Sequence, residues 1–165
     1  MPAPRRKSSN RRTAAATRKL PVLVLNGPNL NMLGVRETKI YGKATLRDLE
    51  ALCRKTAAGL KIAVDCRQSN IEGELVSWAQ ESRKTHSGIV INAGGYSHTS
   101  IAIRDALDIV KTPKIEVHIS DIHAREAFRQ TSMIEKVVDE SISGKGIEGY
   151  ALAIRAVAKL MHLER

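Results

Sequence analysis

Cysteine is nearly absent from this chain: Cys53 and Cys66 are the only two among 165 residues. Their spacing fits neither a metal knuckle nor a redox pair, so they read as buried thiols in a reducing cytosol. Long apolar runs are missing as well. Hydrophobic residues make up 42% of the sequence, yet no stretch approaches the length needed to span a bilayer, which excludes a membrane-embedded function. No internal repeat and no second domain boundary appears, and this length suits one compact domain with a sizeable core.

Acidic residues are missing from positions 1–20. That segment holds Arg5, Arg6, Lys7, Arg11, Arg12, Arg18 and Lys19, so seven of the ten net positive charges sit there. Residues 21–165 carry 20 basic against 17 acidic side chains, the balance of an ordinary globular domain. The nucleic-acid signature of the total charge therefore belongs to a tail, which is rich in Pro, Ser, Ala and Arg, has no apolar period, and is expected to be disordered. It lacks the apolar core of a secretory signal. It reads as a solvated bacterial extension or as an organellar transit peptide, and a nucleic-acid-binding module built on it is the competing function class.

From Pro21 onward, short apolar runs alternate with helical periods. Val22–Leu25, Ile62–Val64, Ile89–Ile91 and Ile115–Ile119 read as strands, mostly buried on both faces, with a fifth around Val137 and Val138. Leu46, Leu49, Cys53 and Leu60 mark one helix, opened by Thr45 as cap with Asp48 three residues on. Ser69 and Glu72 have capping-box spacing before a second, which carries Leu75, Val76 and Ala79. Ile103, Ala106, Leu107 and Val110 form the stripe of a third, and Ile147, Ala151, Ile154, Val157 and Met161 that of a fourth. The expected fold is α/β, a flavodoxin-like doubly wound sheet of about five parallel strands with helices on both faces.

In such a sheet, ligands bind beyond the carboxyl ends of the strands, and four polar segments fall there: 26–41, 68–70, 92–98 and 120–129. The first is long enough for a lid and carries Arg36 and Tyr41. A phenol ionises near about pH 10, and each unit of lowering represents about 1.36 kcal/mol of preference for the phenolate. Guanidiniums held beside it in a closed site turn it into a base, although a loop tyrosine also serves as packing. Asn92 to Ser100 lets backbone approach a ligand at Gly94 and Gly95, with His98 adjacent, but it has neither a Walker lysine nor G-x-G-x-x-G, and a sharp structural turn is the alternative. Strand alternation puts Glu116 and His118 on one face, where a carboxylate orients an imidazole and raises its basicity, as suits a general acid; a satisfied core histidine is the alternative. Arg125 and Arg129, four apart on a short helical stretch, share a face and suggest an anionic, hydroxylated small molecule. His98, His118 and His123 as a metal site have no H-E-x-x-H or cysteine pair to support them. His86 and His162 read as surface residues, and Trp78 as helix packing.

Taken in order, Asn26-Gly27-Pro28-Asn29-Leu30, Arg36-Glu37 with Tyr41-Gly42, Gln68-Ser69-Asn70, Asn92-Ala93-Gly94-Gly95-Tyr96, His98-Thr99-Ser100, Arg104-Asp105-Ala106, Glu116-Val117-His118-Ile119-Ser120 and His123-Ala124-Arg125-Glu126 with Phe128-Arg129 resemble type II 3-dehydroquinate dehydratase. The resemblance implies conversion of 3-dehydroquinate to 3-dehydroshikimate by anti elimination through an enolate, with no cofactor, metal or Schiff base. It implies Tyr41 as base, Arg36 as the residue that lowers its pKa, and Asn29 as the holder of a water on the enolate oxygen. His118, oriented by Glu116 and assisted by Asn92, would protonate the departing hydroxyl. Ile119 and Ser120 would bind the carboxylate, His98 and Arg129 the ring hydroxyls, and Arg125 would close with Arg36 as a lid. Asp105 would reach a neighbouring subunit's site in trimers that assemble into a dodecamer. A flavodoxin-like redox or signalling domain is disfavoured by the missing phosphate cradle, and a diverged relative acting on another cyclic hydroxy acid is the alternative. Thr38, Asp121, Glu148 and the charged segment 131–141 depart from the family pattern. Thr38 is expected to loosen the lid, Asp121 to weaken substrate binding, and the segment to disturb the fifth strand.

Overall fold

The computed structural model describes residues 20–35 and 37–163; the basic tail and Arg36 lie outside the described residues. Five strands, β1 (Val22–Asn26), β2 (Val64–Gln68), β3 (Gly88–Asn92), β4 (Lys114–His118) and β5 (Glu140–Ser143), form one all-parallel sheet in the order β2-β1-β3-β4-β5. This is the expected flavodoxin-like topology, with the change of direction between β1 and β3.

The helices are α1 (Thr38–Tyr41), α2 (Leu46–Gly59), α3 (Glu72–Thr85), α4 (Ile101–Ile109) and α5 (Glu148–Leu163). The alternation of β1 splits the core. Val22 and Val24 point into a layer closed by Leu49, Cys53 and Ala57 of α2 and by Tyr150, Ile154 and Val157 of α5. Leu23 and Leu25 point the other way, against Leu75 and Ala79 of α3 and Ile103, Ala106 and Leu107 of α4. Full burial of one such Leu or Ile is worth about 1.5–3 kcal/mol, so the apolar stripes rather than helix propensity hold these layers. Thr45 and Asp48 form the expected capping box on α2, and Ser100 Oγ caps α4 by accepting from Ile103 N at 2.9 Å.

Several expectations fail at the sheet edges. β2 occupies 64–68 rather than 62–64 and is half-buried, because an edge strand with Asp65, Arg67 and Gln68 has a partner on one side only. The fifth strand is not at Val137–Val138: residues 135–137 form a 3-10 turn, whose preceding Ile134 is buried in the α3–α4 layer, and the strand begins at Glu140. Ser69 and Glu72 make no capping box; Ser69 Oγ accepts from Ile71 N at 2.9 Å and pairs with Glu74. His86 is buried rather than superficial, with Nε2 3.1 Å from Asp65 Oδ2 and Nδ1 2.8 Å from Thr85 Oγ1. Cys53 is buried but Cys66 is only half-buried. The hydrogen bond between the two thiols, together with burial, pushes the Cys53 thiol up. Among the described residues, no helix is long and apolar enough to cross a membrane.

Candidate active site

A cavity opens at the carboxyl edge of the sheet, as the topology requires. Asn29, Tyr41, Asn92, His98, His118, Ile119, Ser120, Arg125 and Arg129 all line it, together with apolar walls from Leu30, Leu33 and Ile122. Two expected site residues lie elsewhere: Glu116 stands behind His118 with no exposure, and Asp105 is exposed on α4, where it accepts a 3.0 Å hydrogen bond from Arg104 Nη1. Asp105 therefore does not reach the cavity of its own chain.

The floor is two interlocked loops. Gly27 N donates to Asn92 O at 2.8 Å, and a Cβ on Gly27 would sit 2.5 Å from Ala93 O. Gly94 answers from the other side, with φ +60° and its Cβ direction closed by Pro28 O at 3.0 Å. Only glycine permits this approach of backbone to backbone. Asn29 sits in the left-handed region at φ 67° and donates its N–H to Asn70 Oδ1 at 3.0 Å. Beneath it, the fully buried Tyr150 of α5 donates to Asn26 Oδ1 at 2.7 Å, and burial pushes its phenol up. Tyr150 does not stand out in the sequence; Asn70 lies in the Gln68-Ser69-Asn70 segment expected at the carboxyl edge.

The imidazole side is built on β4. His118 Nε2 meets Glu116 Oε1 at 2.8 Å; a carboxylate only accepts, so Nε2 carries hydrogen and Nδ1 is the ring atom left for other partners. Ser132 Oγ also donates to Oε1, at 2.6 Å, and Ser141 Oγ to Oε2, at 3.1 Å. Both serines come from the charged segment expected to disturb the fifth strand. His98 stacks against His118 at 6.2 Å between ring centroids, and its Nδ1 donates to Thr131 O at 2.9 Å, which leaves Nε2 for a ligand. His123 is exposed on a neighbouring 3-10 turn and joins neither ring. No group that could hold a metal ion is found among the described residues.

On the other side, α1 ends in Tyr41, whose oxygen receives Arg125 Nη1 at 3.0 Å, the guanidinium carbon lying 5.7 Å from the ring centroid. That hydrogen bond is the chief reason the Arg125 guanidinium is held above its usual value. Arg125 and Arg129 do not share a helical face as expected. Arg125 follows one 3-10 turn, 122–124, and Arg129 closes another, 127–129; the two are joined through Glu126, with Nε–Oε2 distances of 3.3 Å each. Thr38 opens α1 and its carbonyl accepts from Gly42 N, while Asp121 Oδ1 is engaged by His123 N at 3.0 Å.

A phenol beside a guanidinium and an imidazole backed by a buried carboxylate thus line one cavity, with further cationic and amide groups around them. That set can take a proton, give a proton and hold an anionic, hydroxylated molecule. Known proteins place the chain in a family. A family model described as Dehydroquinase class II matches residues 20–158. The chain is 56% identical to 3-dehydroquinate dehydratase 1 of Bradyrhizobium diazoefficiens over 144 residues, covering 87% of this chain and 93% of the relative. It is 59% identical to a 3-dehydroquinate dehydratase of Nitrobacter winogradskyi over 138 residues, covering 83% and 88%. The crystal structure of type II dehydroquinase from Butyrivibrio crossotus superposes with a TM-score of 0.82 at 45% identity, covering 84% of this chain and 97% of that one.

Proposed function

This chain belongs to the class II dehydroquinase family, and we propose that Tyr41 and His118 are the base and the acid with which it dehydrates 3-dehydroquinate to 3-dehydroshikimate. Tyr41 takes the proton from C2, and the electrons of the broken C–H bond pass to the ketone oxygen as an enolate. Arg125, with Arg36 of the same lid, stabilises the negative charge left on the Tyr41 oxygen. Asn29 holds a water against the enolate oxygen. When the ketone re-forms, the C1–C2 double bond forms, the C1–O bond breaks, and His118 gives the departing hydroxyl its proton, so that water leaves.

Glu116 keeps the His118 ring oriented, with Asn92 assisting. Ile119 and Ser120 bind the substrate carboxylate, and His98 and Arg129 the ring hydroxyls. Asp105, remote from its own cavity, serves the site of a neighbouring copy, in trimers that build a dodecamer in the cytoplasm.

One observation carries this assignment: the Tyr41–Arg125 pair and the His118–Glu116 pair line or back a single cavity at the carboxyl edge of the sheet. The test is to mix purified protein with 3-dehydroquinate and follow the ultraviolet absorbance of the conjugated enone. Absorbance should rise, and should rise equally after exhaustive chelation and after borohydride treatment with substrate. No absorbance would remove the dehydratase reading, and irreversible loss with borohydride would replace the enolate route by a lysine imine.

A further inference from the structure

β5 places a Ser-x-Ser pair beside the Glu-x-His pair of β4. Parallel register sets Ser141 against Glu116 and Ser143 against His118. Residues two apart in a strand face the same way, so each serine travels with the functional residue next to it. The two hydroxyls nevertheless have separate duties. Ser141 donates to Glu116 Oε2 at 3.1 Å, while His118 and Ser132 both hold Oε1. A glutamate is soft about its last torsion, so a carboxylate held at one oxygen alone can rock, and the imidazole bonded to it rocks too. Holding both oxygens fixes the plane of the carboxylate and, through it, the imidazole.

Ser143 instead grips the loop beyond β4. Its hydroxyl donates to Ser120 O at 3.1 Å and accepts from Ile122 N at 3.1 Å, which clamps both flanks of Asp121. The same stretch is tied by Gly144 N to His118 O and Ser120 O, at 3.2 Å each, and by Gly146 N to Ile119 O at 3.0 Å. The loop that carries Ile119 and Ser120 is therefore shaped by β5 and the turn after it.

Resting on the dehydratase reading above, we infer that Ser141 and Ser143 are positioning residues that divide the site between them. Ser141 sets the proton donor His118 through Glu116, and Ser143 sets the carboxylate-binding loop. Charge on His118 changes in the transition state, so loss of the Ser141 hydroxyl appears in kcat. The substrate carboxylate is held alike before and during the reaction, so loss of the Ser143 hydroxyl appears in KM.

The experiment measures kcat, KM and thermal midpoint for the unaltered protein and for Ser141→Ala, Ser141→Thr, Ser143→Ala and Ser143→Thr with 3-dehydroquinate. Losing one hydrogen bond to a charged or loop-fixing partner predicts a drop of about tenfold in kcat for Ser141→Ala with KM within about twofold, and the reverse split for Ser143→Ala. Each threonine variant keeps its hydroxyl and should restore the affected parameter. The assignment is overturned if the two alanine variants change the same parameter, if neither changes any, or if threonine fails to restore. An unaltered protein without turnover overturns the dehydratase reading itself and this assignment with it, so the control separates the two failures.

Discussion

Arg125 donates from Nη1 to the Tyr41 oxygen at 3.0 Å, although 84 positions separate the two residues in the sequence. The bond joins the segment that leaves β1 to the one that leaves β4. A guanidinium in that place can hydrogen-bond to the charge that proton abstraction would leave on the phenol oxygen.

Tyr41→Phe should therefore lower kcat by about three orders of magnitude, near the upper part of what general base catalysis supplies, with KM and thermal midpoint close to those of the unaltered protein. Steady-state kinetics on the purified variant checks this. Turnover within a few-fold of normal would remove Tyr41 from the mechanism.

Asp105 gives an intersubunit prediction, since its exposed carboxylate lies away from its own cavity. Asp105→Asn should keep the monomer fold yet lose activity. Mixing Asp105→Asn subunits with Tyr41→Phe subunits should recover some active sites, because a site can then draw Tyr41 from one chain and Asp105 from the next. A fully active monomer on a sizing column would end the idea.

Where each residue sits decides how legible it is in the sequence. β1, β3 and β4 are covered on both faces, so their apolar runs announce them; the edge strands β2 and β5 carry Asp65, Arg67, Glu140 and Ser141, and a reading based on apolar runs misplaces both. Local alternation alone is enough to put Glu116 and His118 on one face. The hydroxyls that hold Glu116 come from 16 and 25 positions further on, and strand register, which no local pattern encodes, brings Ser141 there. His86 is misjudged for a similar reason: its ring pairs with Asp65 of an edge strand 21 positions earlier, a partner no local pattern shows.

That Asp65 makes acid sensitivity predictable. Burial alone would raise its carboxyl, but hydrogen bonds from Arg67 and His86 outweigh burial and hold it below the ordinary 3.8. A depressed carboxylate contributes stability above its unfolded value, and the contribution disappears as pH falls through the folded value. Asp65→Asn should therefore be less stable than the unaltered protein at neutral pH, and the gap should close as pH drops below about 4. Urea midpoints across that range measure it; a gap that stays constant would show that Asp65 does not act through its charge.

Gly27→Ala tests the interlocked floor. Its new methyl would meet Ala93 backbone at 2.5 Å, where no flexible side chain can yield. The expected cost is about 1–3 kcal/mol, as for other forced overpacking, seen as a lower denaturant midpoint with an unchanged slope. A midpoint equal to that of the unaltered protein would mean that the two loops can part freely.

The pairing of β5 with β4 also bears on the order in which the protein becomes competent during synthesis. A chain leaves the ribosome amino end first. A nascent chain halted before position 140 already contains Tyr41, Arg125, Glu116 and His118, yet it lacks Ser141, Ser143, the Gly144 and Gly146 amides, and the Tyr150 phenol that reaches Asn26. Tyr41 would be present while Glu116, which holds His118, still lacked its Ser141 partner. Under the proposed assignment, His118, through Glu116, and the Ile119–Ser120 loop gain these contacts only once residues 140–150 have been made and docked, so the site matures after the segments that carry Tyr41 and His118.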